Sequence, residues 1–462
     1  MDAKRSETSE GRASQDALPS GLTRRDFVGR VGTVIVGTSA LALALGPVSA
    51  ARQFPGADEH DAEVATVWFD LSLDLVRTTA GFSPPVASRA FAYAGLALYE
   101  ALVPGMEGFR SLGGVLPGLG AVPAAGRNRA YDWPTAANAA LASVLRSLFP
   151  PGQAAAVNAL ETHFEESLRP GLPPGAFTRS IERGREVAAV VFEWSKSDGG
   201  HEGYLRNFPP YTPPVGLGLW VPTPPGFLPA LQPYWGSNRC LALSRGADCP
   251  PGNHPPYSED PGSDFHAEAL QVYEAVRNLT PEQEEIARFW SDDPGLTSTP
   301  PGHSISIATQ VLRSEGASLA TAAETYAKVG IAVCDAFIAC WHQKYVYNLL
   351  RPVTYIRRLL DPMWLPVLDT PPFPEYSSGH SVQSGSAFQV LTDLFGEGYA
   401  FVDHTHDDRG FAPRSFGSFL EAAEEAAISR LYGGIHFRAA IDNGVTQGRC
   451  IGQAVSRLPF EA

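Results

Sequence analysis

The chain has 462 residues, 44% of them hydrophobic and 18% charged, which is enough for one large domain or two ordinary ones and excludes global disorder. Its formal net charge at pH 7 is −14, from 35 Lys and Arg against 49 Asp and Glu. An acidic surface argues against nucleic acid or an anionic membrane as partner, so any bound anion must be held by a few clustered cations.

The first fifty residues are predicted to be an export signal. A twin-arginine pair in Thr23-Arg24-Arg25-Asp26-Phe27 precedes an apolar run, 31–45, and small residues up to Ala51 offer a cleavage site. A membrane anchor is the alternative, but the run is short and interrupted by Gly and Thr. We expect residues 1–50 to be a cleaved twin-arginine signal. The mature protein is then exported, periplasmic or extracellular, with no stable membrane association.

Cysteine usage does not indicate a disulfide framework, since there are five Cys in a long chain. An oxidising destination permits a bridge between Cys240 and Cys249, in a Pro- and Gly-rich loop, without requiring it. Cys334 and Cys340 lie in an apolar helical run, where we expect buried free thiols.

Helical periodicity dominates the rest of the chain, and strand-like alternation is nearly absent. The helical segments are predicted, in chain order, at 61–110 (with a core helix at 88–102), 135–148, 151–168, 177–197, 263–279, 280–290, 301–314, 318–360, 381–395 and from about 419 onward. The prediction is an all-α fold: residues 51–462 form a single large α-helical catalytic domain, a helical bundle with long Pro- and Gly-rich loops.

The longest of these loops is predicted at 198–261, which is crowded with Pro, Gly and aromatic residues. A long ordered loop of this kind usually covers something, so one hypothesis is that it folds over a pocket and shapes substrate access. A surface excursion without functional weight is the alternative.

The first of three segments that carry chemistry is Lys344-Tyr-Val-Tyr-Asn-Leu-Leu-Arg351-Pro352. On one continuous helix its two cations, seven positions apart, return to almost the same face. Their apolar and aromatic neighbours predict burial, where a cation needs a counter-charge. Pro352 is predicted to end or kink the run and to fix where Arg351 points. These features favour an anion site over a solvated charged face.

The second segment is Pro374-Glu375-Tyr376-Ser377-Ser378-Gly379-His380-Ser381, which precedes a helical run and so lies at a helix N-terminus. Free N–H groups and the positive end of the helix dipole favour an anion there. Ser378 can donate its hydroxyl, Gly379 allows close backbone approach, and His380 can carry a proton. An N-cap serine beside an incidental histidine is the alternative.

The third segment is Ser429-Arg430-Leu-Tyr-Gly-Gly-Ile-His436-Phe437. The Gly pair is predicted to break the preceding helix, so that Arg430 and His436 converge. His436 by itself would more often be a structural histidine. Together the three segments supply one Lys, two Arg, two His, a Ser hydroxyl and backbone amides, the set needed to wrap a tetrahedral oxyanion.

These segments resemble the signature of the vanadium haloperoxidase and acid phosphatase (type 2 phosphatidic acid phosphatase) superfamily: Lys-x6-Arg-Pro, then Pro-Ser-Gly-His, then Ser-Arg-x5-His-x3-Asp. The resemblance covers roughly the last 120 residues, with the active-site motifs in 341–442. It implies vanadate as cofactor, with phosphate able to occupy the same site. The implied oxyanion-binding residues are Lys344, Arg351, Ser378, Gly379 and Arg430. His436 is implied as the vanadium ligand or the phosphorylated nucleophile, and His380 as the acid–base group.

Two departures from the signature bear on its chemistry. Ser377 replaces the motif proline, and Ala440 stands where the family has an aspartate that orients the histidine of the phosphatases. Asp442 is two positions late and would substitute only if the backbone shifted. By resemblance to the chloroperoxidase-like branch, Trp341 and Phe373 are expected on the halide side of the pocket. Asp293, with Asp292 as the alternative, is expected to pair with the catalytic His380.

Three functions compete on this reading. The first is a vanadium-dependent haloperoxidase that uses hydrogen peroxide to oxidise halide, and the second is a secreted acid phosphatase acting on phosphate esters through phospho-His436. The third is a non-catalytic oxyanion-binding protein, which would need no pair of histidines. A membrane-lipid phosphatase is disfavoured, because no spanning helices are expected after the signal. The run Asp403-His404-Thr405-His406-Asp407-Asp408 is interpreted as a solvated loop, with a divalent-metal site as the alternative. The halide, the organic acceptor and the oligomeric state stay open.

Overall fold

The computed structural model describes residues 54–126 and 129–462. The predicted export signal lies outside these residues. In the described part, thirteen α-helices confirm the all-α prediction. They are α1 (Glu63–Thr78), α2 (Pro84–Leu102), α3 (Trp133–Leu148), α4 (Ala154–Leu168), α5 (Pro174–Ser195), α6 (Asp264–Arg277), α7 (Pro281–Phe289), α8 (Thr299–Ser314), α9 (Leu319–Tyr347), α10 (Pro352–Leu359), α11 (Gly379–Phe395), α12 (Phe419–Tyr432) and α13 (Arg438–Ser456).

Helices α2 and α9 form the centre of the larger hydrophobic cluster, because small residues let their backbones meet. A Cβ added at Gly95 of α2 would lie 2.4 Å from the Tyr326 carbonyl oxygen of α9. Among the described residues, one segment, Pro84–Gly105, is long and apolar enough to cross a bilayer, and its apolar 18-residue window is wholly buried inside the protein, as in the core helix of a globular protein. A smaller hydrophobic cluster joins α6, α10, α12 and the start of α13.

Helices α11 and α13 are in similarly close contact, through glycines spaced one turn apart on α13. A Cβ added at Gly448 would lie 2.2 Å from the Val382 carbonyl oxygen of α11. At Gly444 it would lie 2.7 Å from the Ser381 Cβ, at the N-terminus of α11. This packing fixes the start of α11 against the start of α13, which brings the second and third chemistry-bearing segments together.

The prediction of one helical stretch over 318–360 is wrong in its middle. Helix α9 ends at Tyr347, because Asn348 adopts a left-handed conformation (φ 47°, ψ 36°) and caps the helix with its N–H to the Lys344 carbonyl. Arg351 is extended (φ −82°, ψ 154°), as the residue before a proline must be, and α10 starts at Pro352. Lys344 and Arg351 therefore do not share a helix face.

The loop 198–261 has short 3₁₀ turns but no α-helix or strand, as its proline content predicts. Its backbone is tied to the rest of the protein at Leu231, whose N–H donates to the Pro372 carbonyl oxygen at 2.8 Å. The permitted Cys240–Cys249 bridge does not form. Cys249 instead pairs with Cys450 of α13, 201 residues away, and Cys240 is a buried free thiol. Sequence proximity suggested the wrong partner because the loop folds back over α13.

Two short strands complete the described secondary structure. β1 (Phe401–Asp403) pairs antiparallel with β2 (Arg414–Phe416), so that Phe401 lies opposite Phe416. The run 403–408 begins with the last residue of β1 and continues into the connection to β2, and it is only partly solvated. Asp403 and His406 are buried, whereas His404 is exposed.

Candidate active site

The N-terminus of α11 forms one wall of a buried polar site. Ser378 is its N-cap residue, and the Ser378 Oγ accepts a hydrogen bond from the Ser381 N–H at 3.4 Å. The Ser378 N–H donates to the Ala440 carbonyl oxygen on α13 at 3.1 Å. Within the described protein, the amides of Gly379 and His380 have no acceptor. These two N–H groups, at the positive end of the helix dipole, are available to an anion.

Lys344 lies beneath the segment that leads into α11. Its Nζ donates to the backbone carbonyl oxygens of Pro374 at 3.1 Å, Glu375 at 2.9 Å and Ser377 at 2.5 Å. Burial lowers its pKa to about 8. All three ammonium protons are used, so Lys344 holds the 374–377 segment in place, and an oxyanion would have to draw one of these protons away.

Arg351 is fully buried and reaches the third segment. Its Nε donates to the Phe373 carbonyl oxygen at 2.9 Å, and its Nη1 lies 2.8 Å from the Ile435 carbonyl oxygen and 3.2 Å from the His436 Nε2. Its Nη2 is buried without a hydrogen-bond partner among the described residues. Burial lowers its pKa to about 10. A buried, unpaired guanidinium N–H is a strong donor for an anion.

Arg430 lies at the C-terminal end of α12, and its Nε donates to the Ser429 Oγ at 2.9 Å, while its Nη2 donates to the Ala287 carbonyl oxygen at 3.0 Å. Burial lowers its pKa to about 10. Gly434 follows in a left-handed conformation (φ 77°), and the chain turns so that the Ile435 N–H donates back to the Arg430 carbonyl oxygen at 3.2 Å. The Gly pair thus turns the chain back toward Arg430, as the sequence predicts.

His436 is buried and held at both ring nitrogens. Its Nδ1 lies 2.8 Å from Glu375 Oε1, and its Nε2 lies 3.2 Å from Arg351 Nη1. Burial, followed by the nearby cations Arg351, Lys344 and Arg430, lowers its pKa well below the usual range. His436 is therefore neutral at neutral pH while these three cations surround it.

Neither Asp442 nor Ala440 orients His436. Asp442 is exposed, and its Oδ1 lies 3.7 Å from Arg438 Nη1, while Ala440 is buried beneath the N-terminus of α11. The backbone shift that Asp442 would need does not occur, because α13 is already regular at this point. The carboxyl group on His436 is that of Glu375, a residue of the second segment to which the sequence analysis assigns no role.

His380 is half-buried, and its Nε2 has no hydrogen-bond partner in the described structure. Its pKa lies well below the usual range, because burial and the Arg430 cation disfavour a second positive charge. The neighbouring carboxylate that acts on its pKa is Asp292. Asp293 is exposed, and it makes no hydrogen bond to His380 within the described ranges. Its carbonyl oxygen instead accepts from Leu296 and Thr297.

Trp341 and Phe373 form an aromatic wall beside the cations. Their ring centroids are 4.8 Å apart, and the Phe373 ring lies 4.9 Å from the Arg351 Cζ and 5.0 Å from the Lys344 Nζ. The Trp341 Nε1 donates to the Leu231 carbonyl oxygen at 3.3 Å, as does the Tyr345 hydroxyl at 2.7 Å. The long loop therefore packs against this wall.

A second buried polar cluster lies behind His380. His303 bridges two carboxylates, with its Nδ1 2.8 Å from Asp292 Oδ2 and its Nε2 2.7 Å from Asp403 Oδ2. Burial alone would lower the pKa of His303, but the two carboxylates raise it to about 10. The His406 Nε2 lies 3.1 Å from Asp292 Oδ1. Asp292 itself is held in a left-handed conformation (φ 52°) that few non-glycine residues adopt.

This cluster also has the composition of a metal site. Asp292, His303 and His406 offer ligand atoms that lie within 4.8 Å of one another. Both ring nitrogens of His303 already bind carboxylates, however, so the ring acts as an imidazolium and has no lone pair for a metal. We interpret the cluster as an ion-pair network that holds Asp292 ionised next to Arg430 and His380. The sequence predicts Asp403 and His406 as part of a solvated loop, with a divalent-metal site as the alternative.

Comparison with known proteins agrees with this geometry. A family model, the VCPO second helical-bundle domain, matches residues 324–459. The solved structure described as the first bacterial vanadium-dependent iodoperoxidase is 38% identical, with a TM-score of 0.79, over 86% of this chain and 96% of that chain. The chain belongs to the vanadium haloperoxidase superfamily.

Two further similarities are more distant. The holo form of a bacterial vanadium-dependent chloroperoxidase superposes with a TM-score of 0.64 at 18% identity, over 83% of this chain and 93% of that chain, which supports the haloperoxidase fold. The vanadium chloroperoxidase of Curvularia inaequalis is 29% identical over 24% of this chain. That match spans only 22% of the length of this relative.

The residues present fit the vanadate that the superfamily implies. The buried side-chain atoms without a hydrogen-bond partner in the described structure include Arg351 Nη2, His380 Nε2 and Ser381 Oγ. Arg351 and Ser381 can each donate a hydrogen bond, and His380 can donate one when its Nε2 carries a proton. The free amides of Gly379 and His380 lie at the same helix terminus. An oxyanion placed among these groups would satisfy donors that the protein itself leaves unmet.

Proposed function

We propose that this protein is a vanadate-dependent haloperoxidase, which converts hydrogen peroxide, halide and a proton into hypohalous acid and water. The observation that carries the proposal is the set of buried cations around a neutral histidine whose Nε2 contacts, among the described residues, only the Arg351 Nη1, at 3.2 Å. The iodoperoxidase relative makes iodide the first halide to test, with bromide and chloride after it.

Each residue has a distinct task in this reaction. Vanadate, when bound, supplies a Lewis-acidic centre for peroxide activation. Arg351, Arg430 and the α11 amides would hold its oxygens and stabilise negative charge. His436 would hold the vanadium through Nε2. His380, with a free Nε2 and a depressed pKa, would take up and return a proton. The Trp341–Phe373 wall excludes water from the halide side.

An acid phosphatase is the second candidate, because the same donors suit a phosphoryl group and a carboxylate holds the Nδ1 of His436. One purified sample tests both, with and without added vanadate. Peroxide-dependent iodination that requires vanadate supports the haloperoxidase. Hydrolysis of p-nitrophenyl phosphate that vanadate inhibits supports the phosphatase, and anion binding without either activity supports a binding protein.

His436→Ala provides the residue-level test. Loss of a direct ligand should reduce activity by more than the ~10–100-fold typical of outer-shell partners. His404→Ala is the control, because His404 is an exposed histidine outside the site. Equal rates in wild type and His436→Ala would remove His436 from the mechanism.

A further inference from the structure

We infer that Glu375 is the positioning residue that fixes the tautomer and orientation of His436, a role that rests on the proposed function. The side chain is fully buried, and its Oε1 lies 2.8 Å from the His436 Nδ1. In the described structure no other carboxylate reaches this ring. Asp442, the sequence-based candidate, is exposed on α13 and faces Arg438.

The two contacts of the ring settle where its proton lies. The Arg351 Nη1, 3.2 Å from the His436 Nε2, is part of a guanidinium and can only donate. Nε2 must therefore accept, and Nδ1 carries the proton and donates it to Glu375. This tautomer leaves the Nε2 lone pair directed into the cationic site, and a carboxylate on the other nitrogen makes Nε2 a better ligand or nucleophile.

Glu375 is itself held rigidly. The Phe437 N–H donates to the same Oε1 at 2.8 Å, and the Glu375 N–H donates to the Leu349 carbonyl oxygen at 2.9 Å. The Lys344 Nζ donates to the backbone carbonyl oxygen of Glu375 at 2.9 Å. One carboxylate oxygen thus receives a hydrogen bond from His436 and from the next residue, which aligns the ring with its own backbone.

The competing interpretation is that Glu375 only balances the charge of Arg351 and Lys344, both buried nearby. That role would affect stability, but it would not act through His436. The two interpretations differ in whether the effect of Glu375 on anion affinity disappears when the imidazole is removed.

The experiment compares Glu375→Gln with Glu268→Gln. Gln keeps an oxygen that can accept from Nδ1 and from Phe437, but unlike Glu375 it cannot ionise. Glu268 is a matched control, because its carboxyl group also lies near the start of α13. Its Oε2 is 3.4 Å from the Ala439 nitrogen, and in the described structure it makes no hydrogen bond to His436. Thermal unfolding of each variant first confirms that it is folded, and vanadate and phosphate affinities are then measured by calorimetry without substrate.

We expect Glu375→Gln to bind vanadate ~10–100-fold more weakly than wild type, the usual effect of losing an outer-shell partner of a ligating histidine. Glu268→Gln should bind within about 3-fold of wild type. In a His436→Ala background, Glu375→Gln should change affinity by less than about 2-fold, because the ring through which it acts is gone.

The outcomes separate this inference from the proposed function. Equal vanadate affinity in folded Glu375→Gln and wild type, or the same loss with and without His436, would overturn the role of Glu375. If wild type binds vanadate but does not oxidise halide, the proposed function fails while the affinity comparison still decides the role of Glu375. If wild type binds neither anion, both fail.

Discussion

Replacing His303 by Gln should destabilise the protein strongly, because it removes the imidazolium between two buried carboxylates. The atoms concerned are close: Nδ1 is 2.8 Å from Asp292 and Nε2 is 2.7 Å from Asp403. The three side chains are at most 2% exposed, so solvent screens their interaction little. The pKa of His303 rises from 6.5 to about 10, which corresponds to roughly 5 kcal/mol. Leaving a buried charge without its partner costs about 3–5 kcal/mol by mutation.

The effect has a pH signature with a definite sign. A group with a raised pKa contributes stability that is complete below its unfolded pKa, near 6.5, and is lost as the pH rises toward about 10. The two aspartates have lowered pKa values, so their contribution is lost as the pH falls below roughly 4. Wild type should therefore lose stability from pH 7 to pH 10, whereas His303→Gln should show a flatter profile over that interval.

The assay is thermal unfolding from pH 5 to pH 10. With an unfolding entropy of about 2.1 cal/mol/K per residue over roughly 400 residues, a loss of 3–5 kcal/mol lowers Tm by ~4–6 °C. His404→Gln is the matched control, since its Nδ1 is also 2.8 Å from an aspartate, Asp407, but both side chains are at least 50% exposed. Such a pair contributes little. If His303→Gln and His404→Gln melt together, or His303→Gln keeps the wild-type pH slope, the ion-pair interpretation is wrong.

Two further predictions concern stability. Replacing Cys249 and Cys450 by Ser removes a cross-link between residues 201 positions apart, whose chain-entropy contribution is ~5 kcal/mol, so Tm should fall by several degrees while vanadate affinity is retained. Unchanged Tm under reducing conditions would contradict this. Gly448→Ala places a Cβ 2.2 Å from the Val382 carbonyl oxygen and should cost ~1–3 kcal/mol, whereas Gly398→Ala meets nothing within 4 Å and should be near neutral in denaturant unfolding. Equal midpoints for these two variants would show that α11 and α13 are not in close contact.

Much of the fold and of the site could be predicted from short-range features of the sequence. Pro and Gly mark the ends of helices, so the helices, the long loop and the N-terminal position of Ser378 followed from short-range rules. The Gly433-Gly434 break was likewise readable, since only such a turn lets Arg430 and His436 converge. Lys344 and Arg351 were assigned to one helix because the left-handed Asn348 was not foreseen.

Interactions between distant segments were beyond these rules. Glu375 meets His436 across 61 residues, and His303 meets Asp403 across 100 residues. Neither pair has a sequence spacing that a helix or turn would impose. A carboxyl group next to a predicted anion site also looks unfavourable by charge alone. It becomes explicable only when the structure shows that Glu375 contacts the histidine.

The charge distribution explains how an acidic protein can bind an anion. Lys344, Arg351 and Arg430 are buried, and each has a pKa lowered by burial, so the protein bears the cost of keeping cations away from water. Burial raises the pKa of Glu375 to about 8, so this carboxyl group offsets little of the charge at neutral pH, whereas Asp292, held ionised by His303, offsets part of it near Arg430. Glu375 contacts His436, and Asp292 contacts His303 and His406, so in the described structure neither carboxyl group pairs with the free donors Arg351 Nη2 and Ser381 Oγ. An oxyanion is the ligand that completes this balance. The net charge of −14 repels anions at long range, so selectivity must arise at short range, from donors fixed by rigid backbone contacts.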